Sequence, residues 1–188
     1  DLSKTQDLTA FVLVFPPDDL EDEEDKFRIL PYFWIPEESL RKRVLKDHVP
    51  YDQWLAQGLI EATDGEVINY HFVQKKIEEL GNTFDIKEIA FDRWGSTTLT
   101  QNLRDAGFTV VDFGQGYKSM SPPMEELMRL ILGGRIAHGG NPVLRWNFDH
   151  IVVEQDAAGN IKANKTKSTE KIDGAVATIM ALARAIKW

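Results

Sequence analysis

A strand–helix–strand pattern between residues 87 and 113 constrains the fold more than any other part of the sequence. Residues 87–92 (KEIAFD) form a short apolar run typical of a buried strand, and residues 108–113 (FTVVDF) form a second one. Between them, residues 96–106 have the pattern of a helix that ends at Gly107. Two strands joined by a helix usually form a parallel crossover unit. The sequence therefore predicts an α/β fold with a central mixed sheet flanked by helices.

Other segments extend this pattern. Residues 8–15 (LTAFVLVF) and 27–35 (FRILPYFWI) are expected to form an antiparallel pair of strands, with Pro31 at an edge position or a bulge. Short segments are expected over 143–146 and 150–155, and the second should form a β-hairpin with 161–165. The glycines and prolines of 114–123 indicate a loop. Further helices are expected from residue 36, over 70–80, over 124–132, and from residue 172 to the end.

The composition limits the class of protein. A chain of 188 residues fits one domain, and 43% hydrophobic with 28% charged residues is typical of a soluble globular protein. Cysteine is absent, which excludes disulfide frameworks, cysteine-ligated zinc and thiol nucleophiles. There is no run of about 18 apolar residues and no signal-peptide layout at the start, so we expect a cytoplasmic protein that does not bind membranes.

Charge is distributed unevenly along the chain. The net charge of -8 alone argues against a nucleic-acid partner, because neutralising phosphates requires clustered Lys and Arg. Residues 18–25 carry seven acids and no base, whereas residues 162–171 carry four lysines and one acid. This asymmetry permits a basic working face on an acidic protein.

Three aspartates lie at the edges of expected elements, where a side chain can project from a rigid frame into a cleft. Asp1 opens the chain, Asp92 ends a strand, and Asp173 lies in the first turn of the last helix. Magnesium and manganese are held by a few carboxylates together with water and substrate phosphate. However, the chain has 30 acids, and an acid at a helix N-terminus often serves only the helix dipole. A metal site and ordinary structural roles both remain open.

Four long stretches resemble one family of viral proteins. They are residues 103–146, which include FGQGYKSMSPPMEELMRLILGGRIAHGGNPVLRW, residues 167–185 (KSTEKIDGAVATIMALARA), residues 1–14 (DLSKTQDLTAFVLV) and residues 89–95 (IAFDRWG). In this order they are similar to the nuclease half of terminase large subunits of HK97-like tailed phages. The run GQGY…SPPM…GRIAHGGNP is the specific part of the resemblance.

The resemblance implies a ribonuclease H-like fold, and the β-hairpin that the residues predict would be an addition to it before the C-terminal helix. In that family, carboxylates of the first strand, a later strand and the last helix bind two divalent cations, Mg²⁺ or Mn²⁺. By motif these are Asp1, Asp92 and Asp173, the implied catalytic residues. Asp1 begins this chain, although the family's first acid lies inside a strand. Asp7 is the alternative ligand, or else a turn acid.

The implied function is endonucleolytic cutting of concatemeric double-stranded DNA during viral genome packaging, by two-metal phosphodiester hydrolysis. The implied partners are DNA, the terminase ATPase domain, the small terminase subunit and the procapsid portal, in the host cytoplasm. No GxxxxGK[ST] motif occurs in the chain, so we expect residues 1–188 to be a single nuclease domain without the ATPase motor. The alternatives are a non-catalytic module that docks DNA or the portal, and another ribonuclease H-like nuclease such as a junction resolvase.

The candidate DNA-binding residues are basic side chains close to the proposed acids. Lys165, Lys167 and Lys171 lie between the expected hairpin and the helix that carries Asp173, and we expect them to hold DNA phosphates. The alternative is a solvated charged face. Arg93 follows the second acid directly, where it either contacts phosphate or packs at the exit of the strand.

Two further residues are possible members of the site. His138 either contacts metal or phosphate or, as we favour, is a hydrogen-bonded structural residue beside a glycine turn. Asp112 lies on an expected strand, where it either joins the acidic cluster or caps the turn that follows.

Overall fold

A computed structural model describes residues 8–19, 21–22, 24–47, 49–92 and 97–188. The strands in these ranges are β1 Thr9–Phe15, β2 Phe27–Pro36, β3 Glu61–Thr63, β4 Ile89–Asp92, β5 Val110–Phe113, β6 Ile136–Ala137, β7 Val153–Gln155 and β8 Ile161–Ala163. The helices are α1 Glu37–Asp47, α2 Tyr51–Ala56, α3 Tyr70–Gly81, α4 Thr97–Asp105, α5 Tyr117–Leu132, α6 Pro142–Asp149 and α7 Asp173–Ala185. The strand–helix–strand pattern that the sequence predicted is present as β4, α4 and β5.

Among the described strands, β2 has the most pairing partners, since it pairs with β1, β3 and β6. It runs parallel to β3 through the pair Trp34–Glu61 and parallel to β6 through the pair Phe27–Ile136. Pro31 lies between these two pairings, so its missing backbone donor interrupts neither of them. Strands β4 and β5 pair with each other, and β7 and β8 form the antiparallel hairpin that the sequence predicted.

The chain divides into two compact units. The first unit comprises the described residues through Phe11 together with Tyr32–Asp112, and the second comprises Val12–Pro31 and Phe113–Trp188. In the first unit, the fully buried Trp34 packs in a cluster with apolar side chains of β4, α3 and α4. The Trp34 indole N–H donates to the Glu61 carboxylate at 3.1 Å, which satisfies its one polar atom.

The second unit is built around α7. Eleven of the thirteen residues of this helix are buried, and it packs against α5 and α6. A helix that is apolar on nearly all sides belongs at the centre of a domain rather than on its surface. The first residue of α7 is therefore held in a buried position by the packing of the whole helix.

Helix α5 begins earlier than expected. The interpretation of residues 114–123 as a loop is wrong from Tyr117 onward, because Pro122 and Pro123 lie inside the helix. Proline in a helix interior lacks the N–H that would donate to the carbonyl four residues earlier, so it usually breaks the helix.

Other contacts hold the first turns of α5 in place. The backbone N–H of Met120 donates to the Gly116 carbonyl at 3.0 Å, closing the first turn. The buried Ser121 hydroxyl accepts from the N–H of Ile161 in β8 at 3.0 Å and donates to Glu125 at 2.9 Å. The bond between Ser121 and Ile161 is a tertiary contact, and with the two local bonds it holds the helix in place despite the two prolines.

Further observations concern three short elements and the exposure of one methionine. Residues 143–146 belong to helix α6, whose N-cap Asn141 accepts from the N–H of Leu144 at 3.0 Å. The sequence did not indicate α2 or β3, which are six and three residues long. In α5, Met120 and Met124 are buried, whereas Met128 is 56% exposed.

Among the described residues, no helix combines the length and apolar character that crossing a membrane requires.

We predict different costs for two leucines in the last turns of α5. Leu130 is 1% exposed and Leu132 is 80% exposed. Leu130→Ala leaves a cavity and should lower the free energy of unfolding by about 2–5 kcal/mol. Leu132→Ala is the matched control and should change it by less than about 0.5 kcal/mol. Urea unfolding of both variants checks this, and equal effects would contradict the observed packing of α5.

Candidate active site

Asp173 is the first residue of α7 and is buried in the second unit. It is 6% exposed, and its position in the first turn, expected from the sequence, is confirmed. The positive end of the helix dipole favours a carboxylate there. Even so, burying an ionised carboxylate is costly unless it is paired with a cation or coordinates a metal.

A lysine supplies that cation. The ammonium Nζ of Lys165 lies 3.1 Å from Oδ1 of Asp173, with the lysine side chain 39% exposed and the aspartate side chain 9% exposed. The ammonium is thus at the edge of solvent, whereas the carboxylate is inside. The structure brings together an expected metal ligand and an expected DNA-binding residue, eight positions apart.

Lys165 is presented by an ordered turn. The side-chain Oδ1 of Asn164 accepts from the N–H groups of Thr166 and Lys167, both at 2.9 Å. The Ser168 hydroxyl donates to the Asn164 carbonyl at 2.7 Å, and the Asn164 N–H donates to the Val152 carbonyl at 2.8 Å. These bonds connect the turn to Val152, just before β7, and they limit the positions that the Lys165 ammonium can occupy.

The tip of the hairpin is also ordered. Asp156 accepts from the Asn160 side chain at 2.8 Å and from the N–H groups of Ala158 and Asn160, both at 2.9 Å. The Asn160 side-chain hydrogen bond is the main cause that lowers the pKa of Asp156 below its ordinary value. The carboxylate stays ionised and closes the turn between β7 and β8.

Asn147 of α6 contacts the start of α7. It is fully buried, and its Oδ1 accepts from the N–H of Gly174 at 2.8 Å. Its Nδ2 donates to the Val143 carbonyl at 2.9 Å. Sequence reasoning missed this residue, and the only available signal was a polar amide on the apolar side of a short helix.

Asp92 ends strand β4 in the first unit. The expected strand-end position is confirmed, and the residue is half-buried. Asp1, its alternative Asp7, and Arg93 lie outside the described residues, so their proposed roles stay predictions.

The other two lysines differ from Lys165. Lys167 is 64% exposed, with its Nζ 3.9 Å from the Glu154 carboxylate of β7. Lys171 is half-buried and lies two residues before Asp173. The structure therefore places Lys165 at the carboxylate and Lys167 beside the hairpin.

His138 follows β6 in the second unit. It lines a cavity of about 240 Å³ together with eight other residues: Ile29, Leu127, Ile131, Ile136, Leu144, Arg145, Phe148 and Asp149. Its ring Nδ1 is buried and has no hydrogen-bond partner among the described residues. Most of its neighbours are apolar, and its role in the site remains a hypothesis.

Asp112 lies on β5 in the first unit. Its side chain is 68% exposed, and its carboxylate is 3.9 Å from the Arg104 guanidinium. Within the described ranges, which leave out Asp1, no cluster of three or more His, Asp or Glu residues suited to a metal is present.

Solved structures define the class of this fold. The crystal structure of the HK97 bacteriophage large terminase matches with a TM-score of 0.89 and 39% identity, over 98% of this chain and 38% of that chain. The large terminase nuclease of thermophilic phage G20c, solved with bound magnesium, matches with a TM-score of 0.58 and 13% identity, over 98% and 78% of the two chains. The predicted α/β, ribonuclease H-like nuclease fold is confirmed.

Sequence comparison gives the family. The model of the terminase large subunit, endonuclease domain, matches residues 1–187. The terminase large subunit of Enterobacteria phage HK97 is 40% identical over 187 residues, which are 98% of this chain and 36% of that protein. The chain belongs to the terminase large subunit family and corresponds to its endonuclease domain, as the resemblance implied. It spans little more than a third of the relative's length.

We predict that Lys165 stabilises the buried carboxylate. Lys165→Met leaves Asp173 without its ammonium partner and should lower the free energy of unfolding by about 1–3 kcal/mol. Lys167→Met removes the same charge from an exposed site and should cost less than about 0.5 kcal/mol. Chemical unfolding in the presence of chelator, so that no metal compensates, measures both. If the two variants lose equal stability, the contact does not stabilise the fold.

Proposed function

We propose that this chain is a metal-dependent endonuclease domain that hydrolyses the phosphodiester backbone of double-stranded DNA. The buried carboxylate of Asp173, fixed at the start of α7 and facing the ammonium of Lys165, is the observation that carries the proposal. Burying a carboxylate inside a protein costs free energy, and proteins often accept this cost where the carboxylate binds a cation. The family assignment supports a nuclease rather than another cation-binding protein.

The proposed metal ligands are Asp1, Asp92 and Asp173, carried over by motif. Asp173 suits a divalent cation because its backbone is fixed by the packing of α7 and its carboxylate lacks bulk water. Asp92 suits it because a strand end is a rigid support for a side chain. All three proposed ligands are carboxylates, and hard oxygen ligands of this kind favour magnesium or manganese.

Two such ions, held by these carboxylates, would supply activation of the attacking water and stabilisation of the leaving oxygen in an in-line displacement. The protein's own contribution is to hold its carboxylates in place and to provide positive charge for the DNA backbone. Lys165 sits at the boundary between the buried carboxylate and solvent, where an ammonium can also meet a phosphate. The hydrogen-bonded turn around Asn164 limits the positions that this ammonium can take.

We further propose the biological setting that the resemblance implies. Residues 1–188 act as one nuclease domain of a longer terminase, which cuts concatemeric viral DNA in the host cytoplasm. The ATPase domain, the small terminase subunit and the procapsid portal are its proposed partners. This setting is supported by the terminase large subunit of HK97, which is 40% identical to this chain over 36% of its own length.

Replacing the proposed ligands should remove cleavage and spare the fold. Asp92→Asn and Asp173→Asn should each reduce nicking of supercoiled plasmid by more than about 100-fold. Losing a residue that only supports a metal ligand already costs up to about 100-fold, and losing a ligand itself should cost more. Asp64→Asn is the control, because Asp64 is an exposed turn residue with the same chemistry. Circular dichroism checks folding. Full activity in either ligand variant would overturn the assignment of that residue.

The same assay tests the metal and the rival functions. Excess chelator should stop cleavage, and added Mg²⁺ or Mn²⁺ should restore it. Cleavage that persists in chelator contradicts a metal-dependent mechanism, and no cleavage under any metal would favour a docking module. Faster cutting of branched DNA than of plasmid would favour a junction resolvase.

The lysine cluster should control DNA affinity. Replacing Lys165, Lys167 and Lys171 with alanine should weaken binding equally for all sequences and lower the slope of log affinity against log salt by about three units, close to one per phosphate contact. Replacing three exposed lysines elsewhere, Lys42, Lys75 and Lys87, changes the net charge equally and is the matched control. Fluorescence anisotropy over a salt series measures both slopes.

If the two triple variants behave alike, the cluster is an ordinary charged face and the DNA contacts another surface. If only the first loses affinity, and its plasmid cleavage recovers at low salt, the cluster holds the DNA backbone.

A further inference from the structure

The structure assigns Asn147 as a positioning residue for Asp173, an inference that rests on the proposed function of that carboxylate. Asn147 is 0% exposed and lies on α6, whereas Asp173 lies 26 positions later at the start of α7. The two hydrogen bonds of Asn147 connect Gly174, the residue after Asp173, to helix α6.

The orientation of the Asn147 amide follows from its partners. Oδ1 faces the Gly174 N–H at 2.8 Å, and Nδ2 faces the Val143 carbonyl at 2.9 Å. A donor must face an acceptor. In the reverse orientation the NH₂ group would face the Gly174 N–H and the amide oxygen would face the Val143 carbonyl, so neither bond could form. Both contacts are short and buried, so neither is exchanged readily for water.

Helix α7 needs this external contact. The first N–H groups of a helix have no partner within it, and a side chain at the N-cap usually accepts one of them. Here the N-cap is Ile172, which offers no side-chain hydrogen bond. Asn147 supplies the missing acceptor from a neighbouring helix.

The consequence for Asp173 is positional. The Gly174 N–H belongs to the peptide group that begins at the Asp173 carbonyl, so holding it fixes the backbone that carries the carboxylate. Metal sites require their ligands within about 0.5 Å of the productive geometry. Lys165 contacts the carboxylate at the end of the Asp173 side chain, and Asn147 holds the backbone from which that side chain starts.

The experiment measures Mn²⁺ affinity directly, by calorimetry without DNA. Asn147→Leu removes both hydrogen bonds and should weaken Mn²⁺ binding by about tenfold. In cleavage assays kcat should fall, while KM for DNA should change less. Thr178→Val is the matched control. Thr178 is also 0% exposed on α7, and its hydroxyl donates to the Gly174 carbonyl at 2.7 Å, away from the N–H that Asn147 holds. It should lose stability but keep parental Mn²⁺ affinity.

A second arm separates this inference from the proposed function. In an Asp173→Asn background, adding Asn147→Leu should cause no further loss of Mn²⁺ affinity, because Asn147 acts through that carboxylate. If Asp173→Asn binds Mn²⁺ as the parent does, the proposed metal ligand is wrong. If Asp173→Asn loses affinity while Asn147→Leu keeps it, the proposed function stands and the role of Asn147 is refuted.

A third variant covers loss of folding. If Asn147→Leu does not fold, Asn147→Ser takes its place, since a serine hydroxyl can bond the carbonyl four residues earlier but is too short to reach Gly174. The same tenfold loss is expected. Parental Mn²⁺ affinity in Asn147→Ser, or an equal loss in Thr178→Val, would overturn the inference.

Discussion

The burial of the Asp173 carboxylate is the constraint on which the second unit depends. Moving such a group out of water costs several kcal/mol, and its environment must offset this. Two segments contribute: α7 provides the positive end of its dipole, and the turn after β8 provides the Lys165 ammonium. The hairpin that precedes this turn is hydrogen-bonded to α5, because the Ile161 N–H donates to the Ser121 hydroxyl.

A buried ion pair is weak evidence for stability, because an apolar pair of similar size often serves as well. We therefore propose that the arrangement around Asp173 serves to bind a cation. The carboxylate is buried and rigid, whereas its lysine partner is part-exposed and carried on a turn. In this proposal a divalent ion would bind the carboxylate, and the Lys165 ammonium would turn to a DNA phosphate. This division of roles agrees with the endonuclease family to which the chain belongs.

Much of the fold could be predicted because its signals are local. The β4–α4–β5 unit, the β7–β8 hairpin and the positions of Asp92 and Asp173 follow from runs of apolar residues and their ends. The start of α5 could not, since the contact between Ser121 and Ile161 joins residues 40 positions apart and overrides two prolines. Asn147 was missed for the same reason, as its partner Gly174 is 27 positions away. Whether Asp1 completes the triad was, and remains, an inference from resemblance.

The central claim is that Asp173 and the other two aspartates hold divalent cations. A crystal structure of the protein soaked in manganese, with the ions located by anomalous scattering, tests it most directly. The account predicts manganese within direct coordination distance of carboxylate oxygens of Asp173 and Asp92, about 2.0–2.3 Å, with the Lys165 ammonium moved from Oδ1. Manganese bound only elsewhere, with the Lys165–Asp173 contact intact, would contradict it.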